Sequence, residues 1–193
     1  MGSVATAKKL TPEEYLAIER KAEWKSEFLN GEMFAMSGVS REHSLVNTNL
    51  TSYLHGAMRG RPCEAYAADM RVLVSATGLY TYPDLVIVCG EPRFADREVD
   101  TLLNPQVVIE ILSPSTEAYD RGKKFGHYRA VPSIRQYVLV SQDEPRIDWY
   151  VRQPDGPWLF SSAIDLAGSL AIPSLDIHIP LNEIYDRVFS AVA

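Results

Sequence analysis

The sequence predicts an α/β fold with one central mixed β-sheet flanked by helices, and three observations lead there. Strand-like and helix-like patterns alternate along the chain instead of segregating, which suits a sheet covered by helices. At 193 residues, 46% hydrophobic and 23% charged, the chain has the size and composition of one globular domain. Several runs, Val107–Leu112 among them, are apolar and β-branched, as strands buried on both faces are.

The elements follow in order. "LTPEEYLAIERKAE" opens with a Thr cap, Pro12 at the first helical position and acids in the first turn, so it starts a helix. "KSEFLNGEMFAMSG" carries Asn30-Gly31 between two strand-like triplets, the strongest short hairpin signal. "SREHSLVNTNLTSYLHGAMRG" spaces Leu45, Leu50, Leu54 and Met58 near the helical period and ends on Gly60. Three strand-like runs follow, "CEAYAADMRVLVS", "YTYPDLVIVCG" and "PQVVIEILS", the last two separated by a charged segment that reads as a mobile loop. "STEAYDRGKKFGHYRAV" is the next helix, with Ser115 or Thr116 as its cap and Pro132 as its stop. "IRQYVLVS" is a strand, and the remaining runs read as a C-terminal β extension with a closing helical turn. Residues 11–187 form a single domain, with 1–10 a flexible N-terminus. Phe28, Phe34, Tyr53 and Trp149 are expected in the core.

The N-terminal segment has lysines but no apolar stretch behind them, so it does not read as a signal peptide. No run approaches the roughly 18 apolar residues of a membrane span. Cys63 and Cys89 lack metal-ligand spacing and read as reduced thiols of a cytoplasmic protein. A net charge of −6 argues against a general nucleic-acid coat protein, while leaving room for a local basic groove or for acids that hold a cation.

Two acids stand where apolar residues are expected. Glu110 interrupts the run Val107–Leu112, and Asp84 follows Pro83 at the opening of "LVIVC". A carboxylate in such a strand costs several kcal/mol unless a proton, a partner or a metal compensates it. Asp84 could cap a turn and Glu110 could pair with Arg71. Together they could instead share a divalent cation, because hard cations prefer carboxylate oxygens. In the following helix Asp120, Lys124 and Tyr128 recur every four residues and share a face, which would lie over the same end of the sheet.

The "PD" of Asp84 and the acid Glu110 on the next strand resemble the PD-(D/E)xK nuclease pattern. More specifically, "YTYPDLVIVCGEP", "NPQVVIEILSPSTEAYDRGKKFGHYRAVPSIRQYVLV" and the "FLNGEMFAMSG" hairpin resemble the Uma-two family of restriction-endonuclease-like proteins, formerly a domain of unknown function common in cyanobacteria. The match runs from about Thr11 to Arg187. It implies a restriction-endonuclease-like fold and a divalent-metal-dependent endonuclease acting on phosphodiester bonds, with DNA the favoured substrate over RNA, and a homodimer. Asp84 and Glu110 would hold Mg²⁺ or Mn²⁺, with His43 as a further ligand. The superfamily lysine belongs two residues after the second acid, where this chain has Leu112. A migrated lysine is therefore implied, Lys124 first and Lys123 in reserve. Asp69, Ser113, Asp120, Glu32 and Tyr128 are accessory candidates, and Lys123 and Arg121 candidate nucleic-acid contacts. The missing lysine also supports a second reading, a catalytically silent nuclease-fold module that binds DNA or protein.

Overall fold

The computed structural model describes residues 9–189. Of the N-terminal stretch expected to be flexible, residues 1–8 lie outside this range, while the Leu10 N–H bonds the Gly31 carbonyl at 3.0 Å. Helix α1 (Pro12–Glu19) starts on a capping box in which Thr11 and Glu14 satisfy each other's backbone N–H groups. Strands β1 (Ser26–Leu29) and β2 (Glu32–Ala35) form the expected hairpin, and Asn30 and Gly31 both take the positive φ that its tight turn requires. Helix α2 (Arg41–Ala57) is capped by the Ser40 side chain and buries Val46, Leu50 and Leu54.

The apolar runs after α2 divide in an unexpected way. "CEAYAADMRVLVS" splits into β3 (Cys63–Ala67) and β4 (Arg71–Val74). "YTYPDLVIVCG" splits into β5 (Leu79–Thr81) and β6 (Leu85–Cys89). In each pair one half joins a six-stranded mixed sheet and the other a five-stranded one. The chain crosses between sheets at Ala68–Asp69 and again at Pro83–Asp84, and the Ala68 N–H bonds the Asp84 carbonyl at 2.8 Å, tying the crossings together.

The charged segment after β6 supplies β7 (Thr101–Leu102), which pairs with β4, and Arg20 holds Asp96 and Asp100 at 2.7 Å. It is an anchored connection, not the mobile loop expected. Strand β8 (Val107–Leu112) is buried at every position and lies antiparallel to β6 and parallel to β9 (Gln136–Ser141). Between β8 and β9 runs α3 (Glu117–Tyr119), a π-helical turn over Asp120–Lys124, and α4 (Phe125–Arg129). Strands β10 (Arg146–Arg152) and β11 (Trp158–Ile164) extend the larger sheet. Strands β12 (Ser169–Ile172) and β13 (Ile177–Pro180) form a separate pair, and α5 (Leu181–Ile184) follows.

The larger sheet has two packed faces. Ile109 and Ile111 of β8 join Val46, Leu50 and Leu54 of α2 in one core. Val108 and Leu112 face the other way, with Val72, Val74 and Leu79 of the smaller sheet. Because side chains alternate along a strand, Glu110 belongs to this inter-sheet face. Phe28 and Trp149 are buried, Tyr53 packs half-buried against the core, but Phe34 is half exposed.

Cys63 and Cys89 are bonded to each other, correcting the reduced-thiol reading. The antiparallel register of β3 and β6 sets them directly opposite, with Cα atoms 4.0 Å apart. The thiol argument for a reducing compartment therefore falls away.

Candidate active site

Asp84 sits at the second sheet crossing, one residue before β6. Its Oδ2 accepts the Ile111 N–H at 2.7 Å, so the residue after Glu110 orients Asp84 across the β6–β8 pair. Its Oδ1 lies 3.2 Å from His43 Nε2. Glu110, 4% exposed, points between the sheets, and its Oε1 takes both the Tyr128 hydroxyl at 2.7 Å and the Lys124 ammonium at 3.0 Å. Lys124 Nζ also reaches Glu27 Oε1 at 3.1 Å and Asp120 Oδ1 at 3.6 Å. One buried ammonium thus joins carboxylates from β1 of the smaller sheet, β8 of the larger sheet and its own helix.

The helix that carries Lys124 is locally under-wound. A π turn adds a residue to the loop closed by each hydrogen bond and recurs at functional sites. Here it spans Asp120–Lys124, and the Tyr137 hydroxyl of β9 donates to the Asp120 carbonyl at 3.0 Å. Asp120, Lys124 and Tyr128 still share the inward face, as their spacing predicts.

The charge balance is uneven. Glu27, Asp84, Glu110 and Asp120 line one cavity of about 780 Å³ against Lys123, Lys124 and His43. Burial first, then the charges of Asp120 and Asp84, push the Glu110 carboxyl up to about 8 against the pull of Lys124. Burial likewise raises Asp120. Burial alone would lower Lys124, but Glu110, Glu27 and Asp120 outweigh it and hold the ammonium charged above its ordinary range. In this metal-free arrangement Lys124 is a buried cation and a hydrogen-bond donor to its carboxylate neighbours.

Among the described residues, no group of three or more His, Cys, Asp and Glu side chains is arranged to hold a metal ion. The donor set instead fits a hard cation such as Mg²⁺, which takes one or two carboxylates and completes its shell with water and substrate oxygens. Both contacts of Glu110 fall on Oε1, leaving Oε2 for such an ion, and the surplus of carboxylates in the cavity favours one.

The other sequence candidates divide. Lys123 is exposed on the rim of the same cavity, and Ser113 lines it with its hydroxyl bonded to those of Ser115 and Thr116. Thr116 holds the helix-start position but makes no side-chain cap. His43, expected as a further metal ligand, is brought to the site, with its Nε2 against Asp84 Oδ1 at 3.2 Å. Asp69 projects from the first sheet crossing with its side chain 89% exposed and pairs with Lys25, so it leaves the site. Glu32 is exposed on β2 opposite Leu29 and also leaves it. Arg121 is no free nucleic-acid contact, because its guanidinium is spent on Glu117 and the buried Asp148, both at 2.7 Å. Arg71 does not pair with Glu110; it bonds Tyr82 and Thr101.

Glu27 is one of two site residues that sequence reasoning missed. The available signal was its alternation with the buried Ser26 and Phe28, which turns it to the opposite face of β1. Tyr119 was missed as well; it lines the cavity, and burial followed by the charge of Glu27 pushes its hydroxyl up to about 12.

The Uma2 family model, described as "Putative restriction endonuclease", matches residues 12–181. The uncharacterized protein slr1290 of Synechocystis sp. (strain ATCC 27184 / PCC 6803 / Kazusa) is 36% identical over 92% of this chain and 92% of its own. The uncharacterized protein sll1609 of the same organism is 36% identical over 82% of this chain and 89% of its own. A crystal structure titled as a putative nuclease belonging to DUF820, from Anabaena variabilis ATCC 29413, superposes with a TM-score of 0.75 over 93% of this chain and 99% of that one. At 19% identity, that likeness concerns the fold.

Proposed function

The chain belongs to the Uma2 family of putative restriction endonucleases, and on that premise we propose that it is a divalent-metal-dependent nuclease hydrolysing phosphodiester bonds, with DNA as its substrate. The observation that carries the proposal is the position of Lys124. Its Nζ lies 3.0 Å from Glu110 Oε1, supplying from the following helix the lysine absent at Leu112.

Asp84 and Glu110 would hold Mg²⁺ or Mn²⁺, which lowers the pKa of a coordinated water and offsets charge on the phosphate. The protein's own groups do the rest. The Ile111 N–H and His43 fix the Asp84 carboxylate, so it meets a ligand without reorganising. Tyr128 anchors Glu110 through one oxygen. Lys124 keeps its proton and presents a fixed positive charge where negative charge grows on the phosphate oxygens. Lys123, on the exposed rim, is placed to meet a backbone phosphate.

The test is cleavage of DNA, single-stranded and duplex, with and without Mg²⁺, alongside thermal unfolding. Wild type should cut only with Mg²⁺ and gain melting temperature from it, as any ligand of the folded state confers. Asp84→Asn, which keeps an oxygen for the Ile111 N–H, should fold, cut nothing and melt at the same temperature with or without Mg²⁺. Cleavage surviving in Asp84→Asn would refute the assignment. A wild type that binds Mg²⁺ but cuts neither DNA nor RNA would favour the silent module.

A further inference from the structure

We infer that the cavity next to the acids is a channel for one unpaired strand of nucleic acid, lying along α2 from His43 to its end and on to Arg59 just beyond it, with a base stacked on Trp24; this rests on the nuclease reading and specifies its substrate. This cavity, of about 1000 Å³, shares His43, Asp84 and the connection 36–39 with the cavity of the acids. A chain lying in one can continue past Asp84 into the other.

The wall made by α2 is unusual for an exposed helix face. Ser44, Thr48, Ser52, His55 and Arg59 recur at intervals of four, four, three and four residues, all exposed and all lining this cavity. Such a stripe usually carries paired charges, but this one offers hydroxyls followed by an imidazole and a guanidinium. The Thr48 hydroxyl already donates to the Ser44 carbonyl at 2.9 Å and is left to accept, whereas the other groups can donate to phosphate oxygens and to base edges alike. From His43 to His55 the helix rises about 18 Å at 1.5 Å per residue, long enough to run beside several successive nucleotides. The opposite wall has the small side chains Ala65 and Ala67, leaving the width open.

Two further observations point to a ligand. His43 is 7% exposed, and its buried Nδ1 has no hydrogen-bond partner where the two cavities meet. Buried polar atoms are almost always paired, so an unpaired one on a residue that lines both cavities marks a place where a small shift of the ring could admit a partner. On the rim, Trp24 is 77% exposed. An indole in that position is a stacking surface for a base, and stacking needs bases free of a duplex.

Charge decides between one strand and two. A duplex carries a negative charge every 1.7 Å or so along its axis and calls for broad basic cover. This chain has a net charge of −6, and Lys25 beside Trp24 is already held by Asp69 and the Ala68 carbonyl. Arg59 and His55 are the basic groups left on this wall, too few for a duplex but suited to a strand held mainly by stacking and hydrogen bonds.

The experiment is fluorescence anisotropy, without divalent cations, on labelled 15-residue oligonucleotides of one sequence as single-stranded DNA, single-stranded RNA and duplex DNA. Parallel cleavage assays contain Mg²⁺. Either single strand should bind at least ten-fold tighter than the duplex, and the two arms tell DNA from RNA. Trp24→Ala should weaken single-strand binding roughly ten-fold. Arg59→Ala should weaken it several-fold and flatten its salt dependence. Both residues are exposed, so unchanged melting temperatures would certify the fold. Duplex binding as tight as single-strand binding, no binding at all, or variants that bind like wild type would overturn the channel. A strand bound in this way but left uncut would uphold the channel and sink the nuclease reading. Duplex cut equally by wild type and both variants would do the reverse.

Discussion

Replacing Lys124 by methionine removes a buried cation while nearly preserving its volume, and the cost can be worked from the geometry. The ammonium meets Glu110, Glu27 and Asp120 at 3.0, 3.1 and 3.6 Å. At an effective dielectric constant of about 20, each contact is worth about 5 kcal/mol of Coulomb energy before desolvation is counted. Most of that offsets the removal of the charges from water, and breaking such a buried pair typically costs about 3–5 kcal/mol net. The loss in Lys124→Met should depend on pH. Glu110 and Asp120 are already held above the usual carboxylate range, and without the ammonium they rise further and take up protons. Urea denaturation should therefore show a loss of about 3–5 kcal/mol at pH 8 and roughly half of that at pH 5, where neutral carboxyls no longer repel. Adding Glu27→Gln should return at least 1 kcal/mol or so, since contacting residues couple. Catalysis should fall about 10²–10³-fold for loss of one charge-stabilising group. A loss below about 1 kcal/mol at pH 8, or one independent of pH, would refute the buried-cation reasoning.

Three other outcomes follow from the same site. In wild type without divalent cations, Glu110 titrates at about 8 instead of 4.5, so its contribution to stability is full below pH 4.5 and lost as pH rises through 8. Urea midpoints should fall over that window and recover with Mg²⁺; a flat profile indifferent to Mg²⁺ would count against the site. Lys123→Ala should leave stability unchanged and lower the slope of log affinity against log salt by about one, as loss of one phosphate contact does; an unaltered slope would remove Lys123 from the interface. Tyr137→Phe deletes the hydroxyl that serves the Asp120 carbonyl and should cost about 1–3 kcal/mol in urea unfolding, together with some activity; full stability would show that the π turn needs no such support.

The parts of this site legible in the sequence were those governed by local periodicity. Asp84 and Glu110 stood out because each breaks an apolar run, and Lys124 was separable from Lys123 because only Lys124 repeats with Asp120 and Tyr128. That separation survives the π turn, since the inward face is kept across Asp120–Lys124. Glu27 escaped because its contact with Lys124 arises only when one sheet docks on the other, and no spacing within "SEFL" encodes that. The division of two apolar runs between sheets escaped for a related reason: apolar residues resume on both sides of each crossing, so each run reads as one strand interrupted there by a single acid. The Cys63–Cys89 bond depends on the register of β3 against β6, a long-range quantity. Arg121 looked like a free cation because its carboxylate partner Asp148 is distant in sequence.

The bridge from Glu27 through Lys124 to Glu110 also bears on when this protein becomes competent as it is made. Its three residues leave the ribosome in the order 27, 110, 124, so the two carboxylates exist for some time without the cation that joins them. Domains emerge N-terminus first at about 5–20 residues per second, so the 14 residues from Glu110 to Lys124 take roughly 1–3 s to appear. During that interval Glu110 is still exposed and keeps its ordinary ionised form, since it is burial in the finished site that favours its protonation. Synthesis of this chain thus has a built-in delay: the nascent chain holds no complete cluster until both sheets are in place and the helix after β8 has closed over them.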